Sequence, residues 1–141
     1  MGSTSVSRTI NASPEKVWHL IGGFTSLPDW MSYISTATAD EGGRIRRLES
    51  VDGDTIVERL IDYSDEERYY SYRIEEGPFP VKNEDYLATI RVHPIAADPA
   101  VSEVQWSVRF TPAGEAESDV SELFADVFRK GLDGVSDKFT R

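Results

Sequence analysis

Few side chains in this sequence are equipped for covalent or metal chemistry, and that narrows what it can do. There is no cysteine and there are only two histidines, which excludes disulfides, thiolate nucleophiles and Cys-based metal sites. His19 and His93 fall in different stretches, neither with a carboxylate at metal-ligand spacing, so no metal is expected. Two scattered histidines also make no Ser/His/Asp constellation. Gly22-Gly23 and Gly42-Gly43 lack the Lys and following Ser/Thr of a phosphate loop, which argues against nucleotide chemistry. What remains are carboxylates and guanidiniums inside apolar strands. Glu58 sits between Val57 and Arg59, across the hairpin dipeptide Asp52-Gly53 from Arg46 and Arg47. A two-residue turn would set Arg47 opposite Glu58 as a surface ion pair, whereas a three-residue loop would bring Arg46 and Glu58 to one face.

The elements that position these groups follow from periodicity. Val6 to Ile10 alternates as a short first strand. Ser13 is a good N-cap and Pro14 suits the first helical position, and Val17, Trp18, Leu20 and Ile21 form an apolar stripe that stops at Gly22. A second helical turn is expected over Thr25 to Trp30. From Tyr33 to Phe110 the period becomes two, with strands over Arg44–Ser50, Thr55–Tyr63, Arg68–Glu75, Tyr86–His93 and Val101–Phe110. Tyr70/Tyr72/Ile74, Tyr86/Ala88/Ile90/Val92 and Val104/Trp106/Val108/Phe110 each share a face, so one side of the sheet is buried.

After Pro112-Ala113-Gly114 the period returns to helical, over Ser118 to Phe139. Val120, Leu123, Phe124, Val127, Phe128, Leu132, Val135 and Phe139 form one stripe. At roughly 1.5 to 3 kcal/mol per fully buried large side chain, this helix ranks among the main sources of stability. Gly131 and Gly134 within it cost about 1 kcal/mol each relative to Ala; close approach to the sheet or a fraying helix end is the expected reason, with room for a ligand the alternative.

The reading is α+β: a curved antiparallel sheet of about seven strands around a long C-terminal helix, with residues 1–141 as one domain. A twisted sheet around one helix does not close its ends fully with side chains, so a cavity between them is expected. Trp30, Tyr72, Trp106, Phe124, Val127, Phe128 and Leu132 are core positions that would line it. The formal charge is −10, from 25 acidic and 15 basic residues, and such a field repels phosphate backbones, so nucleic acid is not expected as a partner. No apolar run approaches the roughly 20 residues that span a bilayer, and Met1 to Arg8 carries no signal-peptide stretch. Membrane insertion is not expected, a cytoplasmic location is, and the state is monomer or homodimer.

Several stretches together resemble the START/Bet v 1-like superfamily. They are Ser13-Pro14-Glu15-Lys16-Val17-Trp18, Phe24 with Trp30, Gly43 with Arg46, Glu58-Arg59-Leu60 ahead of Asp62, Tyr72-Arg73-Ile74 with Glu76-Gly77-Pro78, and Tyr86, Trp106 and Phe110. The likeness is to the bacterial polyketide cyclase/dehydrase-like branch, with similarity to plant lachrymatory-factor-synthase-like proteins. It implies a helix-grip fold with a deep cavity for a hydrophobic or amphipathic small molecule, lipid- or polyketide-like, and no cofactor. It further implies that Arg46, Glu58 and Tyr86 handle the ligand's polar head. A carboxylate walled by apolar groups can exchange protons, an Arg can anchor an anionic oxygen and a phenol can donate a hydrogen bond. Ligand binding is the favoured function. The alternatives are a cofactor-free cyclase, dehydratase or isomerase, and a partner-binding protein.

Overall fold

The computed structural model describes residues 1–139. Its elements in chain order are β1 (Gly2–Ile10), α1 (Pro14–Ile21), a 3-10 turn (Leu27–Asp29), β2 (Ile34–Asp40), β3 (Ile45–Ser50), β4 (Thr55–Ser64), β5 (Tyr69–Glu76), β6 (Leu87–Pro94), β7 (Ser102–Phe110) and α2 (Glu117–Asp137). The seven strands form one antiparallel sheet in the order β1-β7-β6-β5-β4-β3-β2. The first strand therefore pairs with the last, while the others form a meander. This is the helix-grip arrangement: a curved sheet wrapped round one long helix.

Local chemistry accounts for the helix starts and the curvature. The Ser13 side chain accepts from the Lys16 backbone N–H at the head of α1, with proline at the first position, as N-cap preferences require. Between β4 and β5 the register slips twice, at Val57/Glu58 and at Leu60/Asp62. Each slip adds a residue to one strand, which bends it and sharpens its twist. The sheet thereby curls towards α2.

The inward faces are the ones alternation indicates. Tyr70, Tyr72 and Ile74, then Ala88, Ile90 and Val92, then Val104, Trp106, Val108 and Phe110 are all buried. On α2, Val120, Phe124, Phe128, Leu132 and Val135 are buried against them. Leu123 departs from the expected stripe and is 39% exposed, because it lies on the flank of the buried row rather than within it. Helix α2 ends at Asp137, two residues before the expected end at Phe139.

Three other boundaries differ from the periodic reading. Strand β1 begins at Gly2 instead of Val6 and pairs along its whole length with β7. Its Ser/Thr-rich outer half has no apolar alternation to reveal it. Strand β2 buries only Ile34 fully, so its pattern was equally faint. The helical turn after α1 is confined to Leu27–Asp29.

The two glycines of α2 allow close approach. A Cβ at Gly134 would lie 1.9 Å from the Trp30 carbonyl oxygen, and one at Gly131 would lie 2.7 Å from the Trp106 ring. Arg8 on β1 pairs with Asp133 on α2, fastening the helix across the sheet. No helix among the described residues is long and apolar enough to cross a membrane.

Candidate functional site

The β3–β4 connection decides where the charged groups go. Ser50 and Asp54 close a three-residue loop, Val51-Asp52-Gly53, through a bond from the Ser50 N–H to the Asp54 carbonyl of 2.9 Å. Gly53 takes a left-handed φ of +89°, which glycine adopts without the steric penalty a side chain would bring. The Ser50 hydroxyl also accepts from the backbone N–H groups of Asp52 and Asp54, at 3.2 and 3.1 Å. This loop sets Arg46 directly opposite Glu58, and Arg47 opposite Val57. The surface pair of Arg47 with Glu58, one of the two open registers, does not form.

Arg46 and Glu58 instead meet inside the protein, 0% and 6% exposed. Arg46 Nε donates to Glu58 Oε1 at 2.8 Å, and Nη2 lies 2.6 Å from the same oxygen. Nη1 donates to the Phe24 carbonyl at 2.9 Å and to the Tyr70 hydroxyl at 3.2 Å. The guanidinium carbon lies 4.3 Å from the Phe24 ring centroid and 4.7 Å from that of Tyr72, within cation–π range. Next to the pair, Trp106 Nε1 donates to the Tyr72 hydroxyl at 3.0 Å, and Tyr72 packs on Tyr86 with ring centroids 6.2 Å apart.

These groups border a narrow cleft between sheet and α2. Its walls include Arg46, Leu48, Ile56, Glu58, Tyr72, Tyr86 and Trp106 from the sheet side and Phe124, Val127 and Phe128 from the helix, with Tyr33 and Phe79 also contributing. The cavity volume is about 30 Å³. That holds one or two water molecules and falls well short of the several hundred Å³ of a site for a drug-sized molecule. The deep chamber implied by the resemblance is thus a slot here, because aromatic rings fill the space: Phe79 packs on Phe124 at 5.4 Å, Tyr86 on Phe124 at 5.6 Å and Trp106 on Phe128 at 4.4 Å.

The fold can be set beside known proteins. The family model for polyketide cyclase/dehydrase and lipid transport matches residues 1–140. The chain belongs to this family. Among solved structures it is similar to the protein XoxI from Bacillus cereus, at 46% identity over 99% of this chain and 96% of that one, with a TM-score of 0.94. An uncharacterized protein from Bacillus thuringiensis is 43% identical over 98% of each chain, with a TM-score of 0.94. A START superfamily protein from Mycobacterium smegmatis shares the fold at 14% identity, covering 99% of this chain and 97% of that one, with a TM-score of 0.79. No curated protein matches the chain.

In this polyketide cyclase/dehydrase-family protein the electrostatics of the site are set by burial. Desolvation pushes the Glu58 carboxyl above its ordinary value, and the Arg46 guanidinium pulls the other way through charge and hydrogen bond without cancelling it. Burial works against the Arg46 charge, but the surroundings of Tyr70, Glu58 and Tyr72 more than offset it, so the guanidinium is held firmly charged. Burial likewise raises the phenols of Tyr72 and Tyr86, with the nearby Glu58 charge adding to it. Both stay protonated donors. Among the described residues no cluster of His, Asp and Glu could hold a metal ion.

Of the expected lining residues, Tyr72, Trp106, Phe124, Val127 and Phe128 border the cleft together with Arg46, Glu58 and Tyr86. Trp30 and Leu132 do not. Trp30 is 3% exposed and sits edge-on behind Trp106, with ring centroids 5.7 Å apart, so the stacked Trp106 and Phe128 separate it from the cleft. Leu132 lies one turn beyond Phe128 and is packed into the core. Periodicity did not single out Tyr70 or the Phe24 carbonyl as partners of Arg46. The signal available for Tyr70 was its place on the Tyr72 face, whereas a backbone carbonyl carries none. Phe79 escaped notice because it lies in the Pro78–Pro80 break between strands, outside any periodic pattern.

Proposed function

We propose that the protein binds a hydrophobic or amphipathic small molecule, lipid- or polyketide-like, in the cleft between the sheet and α2. The observation that carries this reading is an ion pair buried at the side of an otherwise apolar slot. Buried charges are costly to desolvate, and a hydrophobic replacement is often as stable or more so. A protein that only needed a core would gain nothing from Arg46 and Glu58 there. The family description, with its cyclase/dehydrase and lipid transport members, supports the same reading.

Because the slot is only about 30 Å³, occupancy requires the half-buried rim residues Tyr33, Phe79 and Val127 to turn outward. A cytoplasmic location fits such a carrier. Screening small apolar metabolites by native mass spectrometry, with the Trp106 indole N–H signal followed by NMR, tests the proposal. Binders should shift that signal and raise the melting temperature through mass action. If no apolar compound binds or moves the indole resonance, the reading fails.

One observation favours a second reading, that of a cofactor-free cyclase, dehydratase or isomerase. Glu58 has a raised pKa and receives its Arg46 contacts at Oε1, leaving Oε2 to exchange a proton with a ligand. Arg46 and Tyr86 would then stabilise the reacting oxygen. Glu58→Gln would abolish turnover of a polyketone substrate while leaving its binding measurable.

A further inference from the structure

We propose that the cleft selects uncharged, oxygen-bearing apolar molecules, ketones and alcohols, over carboxylates and phosphates, and that the Tyr72 hydroxyl is the group that binds the oxygen. This rests on the binding reading above and narrows its ligand class.

The first observation is the charge balance of the cleft. Of the groups lining it, only Arg46 and Glu58 are charged near neutral pH, and they neutralise each other. A guanidinium has five N–H donors. The Nε donor is taken by Glu58, Nη1 donates to Phe24 and Tyr70, and Nη2 is itself held against Glu58 Oε1. At most one Nη2 N–H remains, beside a carboxylate. Phe24 and Tyr72 also lie against the guanidinium, which limits approach from its faces. An anionic head group entering here would lose its hydration, find no surplus cation and meet the Glu58 charge. That combination disfavours anions strongly in a desolvated site. Arg46 therefore keeps at most one N–H for a ligand oxygen, too little to anchor a full anionic head group.

The second observation is the state of Tyr72. Its oxygen already accepts from Trp106 Nε1 at 3.0 Å. A phenol that accepts one bond still has its own O–H to give, and accepting strengthens that donor through cooperative polarisation. The neighbouring Tyr86 phenol also hydrogen-bonds to Tyr72, and because that bond favours the protonated form of Tyr86 it is the donor, which leaves the Tyr72 proton to a ligand. The Tyr72 side chain borders the cleft and is almost fully buried. A ligand carbonyl or hydroxyl oxygen is the acceptor that completes it. Glu58 Oε2 has no hydrogen-bond partner among the described residues, and it accepts from a ligand that carries a hydroxyl. Trp106 acts here as a positioning residue, holding the phenol in place from behind.

Matched probes of equal chain length test this directly: 2-octanone, 1-octanol and octanoate, titrated calorimetrically at neutral pH against the whole protein. The ketone and alcohol should bind at least about tenfold more tightly than the carboxylate. Tyr72→Phe, which keeps the ring and its packing, should weaken the ketone by about tenfold, the scale of one buried hydrogen bond. Glu58→Gln removes the negative partner and leaves Arg46 with net charge, so it should improve octanoate by at least about tenfold relative to the ketone. If octanoate binds the unaltered protein as tightly as the ketone, or if Tyr72→Phe leaves ketone affinity unchanged in a folded protein, the inference is overturned while the binding reading stands. If none of the three binds, the binding reading itself falls.

Discussion

Arg46→Met should destabilise the protein strongly, and the loss should depend on pH. The side chain is fully buried and has four polar contacts, two with Glu58, one with the Phe24 carbonyl and one with the Tyr70 hydroxyl, besides lying against the Phe24 and Tyr72 rings. Methionine fills similar volume but leaves a carboxylate without its counter-ion in apolar surroundings. Breaking a buried pair in this way costs about 3 to 5 kcal/mol. Glu58 can escape part of that cost by taking up a proton. Its folded-state value is already above the ordinary 4.5, and removing Arg46 raises it further.

For such a group the folded protein binds more protons than the unfolded chain between the two pKa values. Its contribution to stability is therefore complete below about 4.5 and is lost as pH rises through the folded value. The slope in that window is limited to about 1.4 kcal/mol per pH unit for one proton. Urea denaturation at a series of pH values from 4.5 to 8, with unaltered protein subtracted to remove the response of the other carboxylates, measures it. The stability difference should be small at the acid end and reach the full 3 to 5 kcal/mol at the alkaline end. Arg46→Met combined with Glu58→Leu should regain most of the loss and abolish the pH dependence. A deficit of equal size at every pH, or a double variant as unstable as the single one, would refute the reasoning.

Two further outcomes test the scaffold around the site. Ser50→Ala removes the acceptor of the Asp52 and Asp54 N–H groups and should cost about 1 to 2 kcal/mol in chemical denaturation. It should also broaden the NMR signals of β3 and β4, because the register that pairs Arg46 with Glu58 loses its tether. Gly134→Ala places a methyl 1.9 Å from the Trp30 carbonyl oxygen. It should lower the midpoint of unfolding by an amount equivalent to at least about 2 kcal/mol, whereas a helix-propensity effect alone would stabilise the helix by about 1 kcal/mol.

What the sequence alone determined is whatever a period can express. Spacings of three and four from Val120 to Val135 placed α2, and alternation through Tyr70–Ile74, Ala88–Val92 and Val104–Phe110 identified the inward faces of three strands, because side-chain direction follows backbone geometry. The family motifs pointed to Arg46, Glu58 and Tyr86 as neighbours. The two hairpin registers stayed equal on paper, since alternation says which residues share a face but not how two strands slide past each other. That choice rests on the Ser50 hydroxyl and the positive φ of Gly53, which exist only once the loop has closed. Cavity size is likewise invisible to pattern, being the small remainder between packed rings such as Trp106 on Phe128 and Phe79 on Phe124. Only tertiary structure could move Trp30 and Leu132 behind that wall, leave Leu123 in solvent, and reduce a broad chamber to a slot beside one buried ion pair.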